Sequence, residues 1–166
     1  MDHKNPAAKH SAHSKHVDQH YMHLYLMAVL SFAAMYILMY AMVDRLGNVF
    51  MNFNQVYMAG LMAAPMVLIE LLVMRAMYRD ARRNIIVIVV SFAALALFWL
   101  LIRNQGGIGN EQFLRSMIPH HAGAILMCKE SKADDARIRK LCENIIESQE
   151  REIAEMKAVL EAYGAS

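Results

Sequence analysis

The chain has 166 residues, of which 57% are hydrophobic and 19% charged, with a formal net charge of +2. A soluble domain of this size carries about 25% charged residues, so the composition argues for segments that sit in lipid. No basic patch is interleaved with aromatic residues, which removes nucleic-acid binding as a reading.

The first 23 residues read as a polar tail. His10, His13, His16, His20 and His23 recur at three- and four-residue intervals, with His3 upstream. If helical, His13, His16, His20 and His23 share one face. Such a tract binds Cu, Zn or Ni weakly; a solvated polar tail is the equal alternative. The tail does not read as a cleavable signal. The apolar run starts late, is too long for an h-region and is followed by no small-residue cleavage site. It is expected to stay attached as an anchor.

Three blocks then follow, 24–43, 56–74 and 85–102, nearly free of charge. Each approaches the roughly 20 residues needed to cross a hydrocarbon core. Trp99 lies near one end of the third, where aromatic belts sit. Met27, Met35, Met39 and Met42 lie in the first span, and Met58, Met62 and Met66 fall at i, i+4 and i+8 in the second. The Met-x-x-x-Met of the second span is similar to that of the high-affinity copper transporters. The third span lacks their Gly-x-x-x-Gly packing motif, and the inferred orientation is reversed. Lipid-facing or helix-packing methionine is the preferred reading. Glu70 is about one turn from Arg75 and reads as half of a snorkelling pair. Pro65 predicts a bend.

The loop after the second span holds Arg75, Arg79, Arg82 and Arg83 against Asp80 alone, whereas the loop at 44–54 holds only Arg45. The positive-inside rule puts the Arg-rich loop and the N-terminus in the cytoplasm and everything after Ile102 outside. Lys4, Lys9 and Lys15 agree.

The glycine-bearing stretch 103–110 reads as a linker, with Asn110 as N-cap and Glu111 in the first turn. Helices are predicted at 111–130 and at about 134–163, the second stopping at Gly164. The turn at 131–134 carries a capping motif. The two helices form an antiparallel hairpin. At 100° per residue, Met117, His120, His121, Ala124 and Cys128 share one side of the first helix, with Met127 at its edge. The second helix has an apolar stripe of Ile138, Leu141, Cys142, Ile145, Met156 and Leu160. Gln149 and Glu152 lie inside that stripe, where polar groups are unfavourable unless partnered. Folding about the turn is expected to set Met117 level with Gln149 and His121 level with Ile145.

Thioethers with imidazoles suit copper better than magnesium, calcium or a cysteine-built zinc site. Met117 and His121, at i and i+4, can reach one metal. Pro119 places them at an irregularity in the helix. The bland alternative is a core methionine stripe. Cys128 and Cys142 form neither C-x-x-C nor a zinc pattern. They are expected to be offset along the hairpin, so that an intrachain disulfide looks strained. Two small buried thiols are the default, with Cu(I) binding or chain linking as a lesser reading.

The segment Phe113-Leu-x-x-Met117-Ile-Pro-His-His121-x-x-Ala124-x-x-Met127, followed by Ile146-x-x-Gln149-x-x-Glu152-Ile153-x-x-Met156, resembles the signature of the domain-of-unknown-function family 305. The resemblance covers about the last third of the chain. It implies a ferritin-like helical fold, an extracytoplasmic bacterial setting and, in some members, copper binding linked to copper resistance. It carries over Met117, His120, His121, Met127, Glu152 and Met156 as metal ligands, with Gln149 behind them. Glu152 could instead fix a His tautomer. Members commonly have two such hairpins; this chain has one. A four-helix bundle completed by a homodimer is therefore expected, and burial of the hairpin's apolar faces asks for the same.

The resulting picture is an all-α protein with three transmembrane helices and an extracytoplasmic hairpin in a bacterial plasma (inner) membrane. It binds copper, Cu(I) before Cu(II), for sequestration or handover in resistance or homeostasis. Imidazole protonation is expected to weaken binding below about pH 6. No nucleophile–base pair, phosphate loop or cofactor fingerprint points to an enzyme, and the hairpin has no Glu-x-x-His of the di-iron kind. The alternatives are a membrane copper conduit along Met58 and Met62, and a structural membrane dimer without metal.

Overall fold

The apolar blocks become long helices. The computed structural model describes the backbone of residues 6–164 and the side chains of residues 18–164. Among these, every regular element is helical: α1 (Pro6–Leu38), α2 (Phe53–Val73), α3 (Ala81–Arg103), α4 (Asn110–Glu130) and α5 (Ala136–Gly164), with 3₁₀ turns at Met39–Met42 and Leu46–Asn48. Three segments are long and apolar enough to cross a membrane: Asp18–Met42, Phe53–Val73 and Ala81–Arg103.

The histidine-bearing tail is not a separate element. From Pro6 onward its backbone belongs to α1. Pro is well suited to a first helical turn, and the alanines and lysine after it favour helix. The side chains of His10, His13 and His16 lie outside the described residues, as does His3. His20 is half-buried and His23 exposed.

The chain divides into two compact units. The first takes the N-terminal residues as far as Met35 together with residues 58–100. Its core holds Tyr21, Leu24, Leu71, Tyr78 and Val87. Tyr21 donates a hydrogen bond to Asn84 Oδ1 at 2.7 Å, and Arg83 pairs with Asp18 at 2.6 Å while lying over the Tyr21 ring. Asp80 caps α3 by accepting the backbone N–H groups of Arg82 and Arg83. Glu70 is met by the Tyr78 hydroxyl at 3.4 Å rather than by Arg75. The inward line of α2 is Ala59, Gly60, Ala63 and Ala64, all buried, whereas Met58 and Met66 are exposed. A Cβ built on Gly60 would come within 2.3 Å of the Phe98 ring, so only glycine allows that approach. Met58 and Met66 thus face away from the helix contacts, while Met62 is half-buried.

The second unit takes residues 36–57 and everything from Leu101 onward. Here α4 and α5 pair as an antiparallel hairpin. The helix α3 leads into it through a left-handed Gln105 (φ 49°), with the Gly106 N–H closing onto the Leu101 carbonyl at 2.9 Å, a Schellman-type stop. Gly109, extended and without a side-chain cap, precedes α4; Asn110 does not cap but donates to the Tyr163 hydroxyl. Asp135 caps α5 through the Arg137 N–H, in place of the motif expected at 131–134.

The hairpin core is Ile118, Ala122, Ile125 and Ile153, and Val43 and Phe50 from the segment between α1 and α2 pack against it. Lys157 Nζ donates to the Gly47 carbonyl at 2.8 Å and to Asn48 Oδ1 at 2.6 Å. Asn48 is buried and also donates to Asp44. The hairpin is therefore not a lone pair of helices. The chain covers part of its apolar surface itself, which removes part of the burial argument for a second copy.

Candidate metal centre

The site begins at Pro119. A proline has no N–H, so the Arg115 carbonyl lacks its usual intrahelical donor, yet α4 runs unbroken from Asn110 to Glu130. Two residues on, His121 is buried, 9% exposed. Its Nδ1 lies 2.8 Å from the Met117 carbonyl oxygen and its Nε2 lies 2.8 Å from Glu152 Oε2. A carbonyl can only accept, so Nδ1 carries a proton and donates it. Nε2 is then the ring atom left to face the carboxylate, with one proton between them. The other Glu152 oxygen accepts from Ser148 Oγ at 3.1 Å. Imidazole orientation, tautomer and carboxylate position are all set by neighbours.

A cleft of about 240 Å³ opens beside this pair. It is lined by Met117, His121, Glu152 and Met156, together with Phe113, Leu114, Glu155 and Val159. Two thioethers, one imidazole and two carboxylates thus line it. Among the described residues no three His, Cys, Asp or Glu side chains converge; the sulfur groups beside His121 and Glu152 are thioethers, and thioethers are soft.

Four of the six residues expected to act as ligands meet here, and two do not. His120 is exposed, its ring edge-on to His121 with centroids 5.9 Å apart. Met127 is 58% exposed and does not line the cleft. Consecutive helical residues point about 100° apart, which is why one of two adjacent histidines faces in and the other out. Gln149 is half-buried and also does not line the cleft. Ser148, which lies one turn before Glu152, holds that carboxylate instead. Its spacing was the one signal for it; Phe113 stands in the family signature, and Glu155 gave no signal beyond its helical position.

The register differs from the level pairing expected about the turn. His121 meets Glu152, seven residues beyond Ile145. Helical side chains lean toward the N-terminus of their own helix. In an antiparallel hairpin those on α4 lean away from the turn and those on α5 lean toward it, so each contact is displaced along α5. The longest pair, Lys129 with Glu150 at 2.9 Å, is displaced farthest and the short cysteines least.

That displacement also brings the cysteines together. Both are free and half-buried, and the neighbouring Cys142 thiol pushes the Cys128 thiol up to about 11. The expected offset between them is not present.

Comparison with known proteins bears on the same region. Residues 101–160 match the family described as a domain of unknown function (DUF305). An uncharacterized protein of Acanthamoeba polyphaga mimivirus is 32% identical over 139 residues, which span 82% of this chain and 90% of that protein. The chain belongs to the DUF305 family. A likeness of 139 residues is longer than the hairpin and its linker, so the likeness to that protein extends beyond the two helices that hold the cleft. No solved structure matches.

Proposed function

We propose that this chain is a membrane-anchored copper-binding protein that sequesters copper or hands it over. The observation that supports the reading is the meeting of Met117, His121, Glu152 and Met156 at one cleft. The donor set fits copper: thioethers and imidazole favour Cu(I), and the carboxylate admits Cu(II). His121 is built as metal-bound imidazoles usually are, with its far nitrogen donating to a fixed acceptor. Met117 contributes twice, through its carbonyl to the ring and through its thioether to the cleft. A proton and a metal ion compete for the Nε2 lone pair, so acid weakens binding.

The setting we propose is a bacterial inner membrane with the N-terminus cytoplasmic and the hairpin outside. Three spans put the segment after α1 and the hairpin on the same side, and these two pack within one unit. A ferritin-like homodimer remains part of the proposal through Met127, Ile138 and Leu141, apolar side chains that stay exposed on the hairpin.

The test is an anaerobic Cu(I) titration of the detergent-purified full chain against a competing chelator, beside Met117→Ala and His121→Ala. Tight binding that weakens roughly 10–100-fold in both variants is expected. Equal affinity in all three would move any copper site elsewhere. No tight binding would leave the His121–Glu152 bond as an internal structural contact.

A further inference from the structure

A groove of about 400 Å³ runs through the first unit between its three long helices. Helix α1 lines it from Tyr25 to Phe32, α2 from Gly60 to Val67 and α3 from Ile86 to Phe98. Of the residues that line it, only Tyr25 and Ser91 carry a polar side-chain atom, and none is charged. Val29, Ile86 and Val90, on its walls, are exposed, so the groove is open along its side. Its run on α3, at about 1.5 Å per residue, is about 18 Å long. One leaflet, half of a hydrocarbon core, is roughly 15 Å thick.

Positive charge lies at one end. Ile86, Val90, Ala94 and Phe98 line the groove at four-residue spacing, and Arg82 is the preceding member of that row. Residues four apart are neighbours on a helix. Helical side chains lean toward the N-terminus of their helix, which sets Arg82 beyond the end of the groove, on the side of the loop before α3. Arg83, the next residue, is already paired with Asp18 and Asp80. Arg79 and Arg82 are exposed and have no ion pair among the described residues.

We propose that this groove seats one acyl chain of an anionic phospholipid, with the lipid phosphate held by Arg82 and assisted by Arg79. The inference rests on the membrane part of the function proposed above and is independent of copper. A guanidinium donates two parallel N–H bonds to phosphate oxygens, and its long stem carries the charge to the level of the headgroups. The two parts of the site ask for different chemistry, an apolar segment about one leaflet long and then an anion, and a phospholipid supplies both. A second copy of the chain would bring apolar side chains to the groove but no free acid to Arg82. The described carboxylates of this unit are engaged already, Asp18 and Asp80 with Arg83, and Glu70 with the Tyr78 hydroxyl.

The experiment uses the full chain in detergent and counts bound lipid by native mass spectrometry during titration with dioleoyl-phosphatidylglycerol or dioleoyl-phosphatidylcholine. Expected is one phosphatidylglycerol held about fivefold more tightly than phosphatidylcholine, the effect of one basic side chain beside an anionic lipid. Arg82→Gln should abolish that preference, whereas Arg103→Gln, at the other end of α3, should keep it. Dihexanoyl-phosphatidylglycerol, the same headgroup on short chains, should bind far more weakly. Ala94→Phe, which fills the groove, should weaken both long-chain lipids alike; if that variant loses helicity, the short-chain comparison decides in its place. Equal affinity for the two headgroups overturns the proposal, as does a preference that survives Arg82→Gln. Short-chain lipid bound as tightly as long would leave an anion site without a seat for the chain, and a dimer that carries no lipid would give the groove to a second copy; either result overturns it. In vesicles of brominated phosphatidylcholine, quenching of Trp99, the one tryptophan and exposed on α3, reports whether that helix meets lipid at all. Quenching without a preference for phosphatidylglycerol sinks the lipid seat alone. No quenching sinks the membrane reading on which it rests.

Discussion

The two units hold their helices together by different means. In the hairpin unit the seam is apolar and fully buried, with Ile118, Ala122 and Ile125 at 0% exposure, and polar contacts from the segment after α1 lock it from outside. In the unit of the span-length helices the buried residues of α2 between Ala59 and Ala64 are small, large side chains such as Leu24, Leu71 and Val87 are buried in a separate cluster, and others such as Ile85, Val89 and Leu97 face outward. Water drives burial of the first seam. Helices long and apolar enough to cross a membrane would meet no such drive in lipid, because acyl chains are as apolar as leucine, and close packing with a few hydrogen bonds would take over. At the Gly60–Phe98 approach a large aliphatic side chain therefore obstructs the kind of helix contact that it stabilises in the hairpin seam.

The largest test of that contrast is Ile118→Ala. Removing a fully buried isoleucine from the hairpin seam should destabilise it by about 2–5 kcal/mol, read as a lower midpoint in denaturant melts of the detergent-purified chain. Leu97→Ala, at a side chain 55% exposed on α3, should leave the midpoint nearly unchanged. Equal losses at the two positions would break the comparison. The converse change is Gly60→Leu. A Cβ there already reaches 2.3 Å from Phe98, so the larger side chain overpacks the contact by about 1–3 kcal/mol. Phe98→Ala in the same chain should restore much of the loss. Failure of that rescue would mean that the close approach of α2 and α3 is not what Gly60 provides.

Much of this architecture is legible in the residues, and the illegible parts share a cause. The spans stand out because charge disappears for about twenty residues at a time. The hairpin is marked by apolar periodicity, a glycine-rich approach and an aspartate before α5. The inward side of α4 follows from its 100° step, which places Met117 and His121 together. The pairing across the hairpin does not follow, because it depends on the lean and length of individual side chains. Ile145 looked level with His121, whereas Glu152 reaches it; Cys142 looked offset from Cys128, whereas the two are neighbours. The cover that Val43 and Phe50 provide carries no periodic signal either. Asn48 and Lys157 meet across 109 residues of sequence, and a single chain gives no sign of that.

This cover is also where a finer difference between the units is open to titration. The Asp44 side chain is 8% exposed. Burial alone would raise its carboxyl, but hydrogen bonds from Asn48 Nδ2 at 2.6 Å and Arg45 Nε at 3.0 Å outweigh that and hold it below the usual carboxylate range. A depressed folded-state value means that its support is fully present above the ordinary carboxylate pKa, about 3.9, and fades as pH falls through the folded value. Asn48 in turn accepts from Lys157 on α5, so protonating Asp44 loosens the segment from the hairpin without touching the apolar seam. Amide exchange at residues 44–50, corrected for intrinsic rates, should therefore accelerate at acid pH while exchange at Ile118 and Ile125 holds. Asp44→Asn should make the segment exchange faster at neutral pH and flatten that dependence. Identical profiles for the two proteins would show that Asp44 does not anchor the segment, and would leave Lys157, whose bonds to Gly47 and Asn48 need no carboxylate, as the main tie.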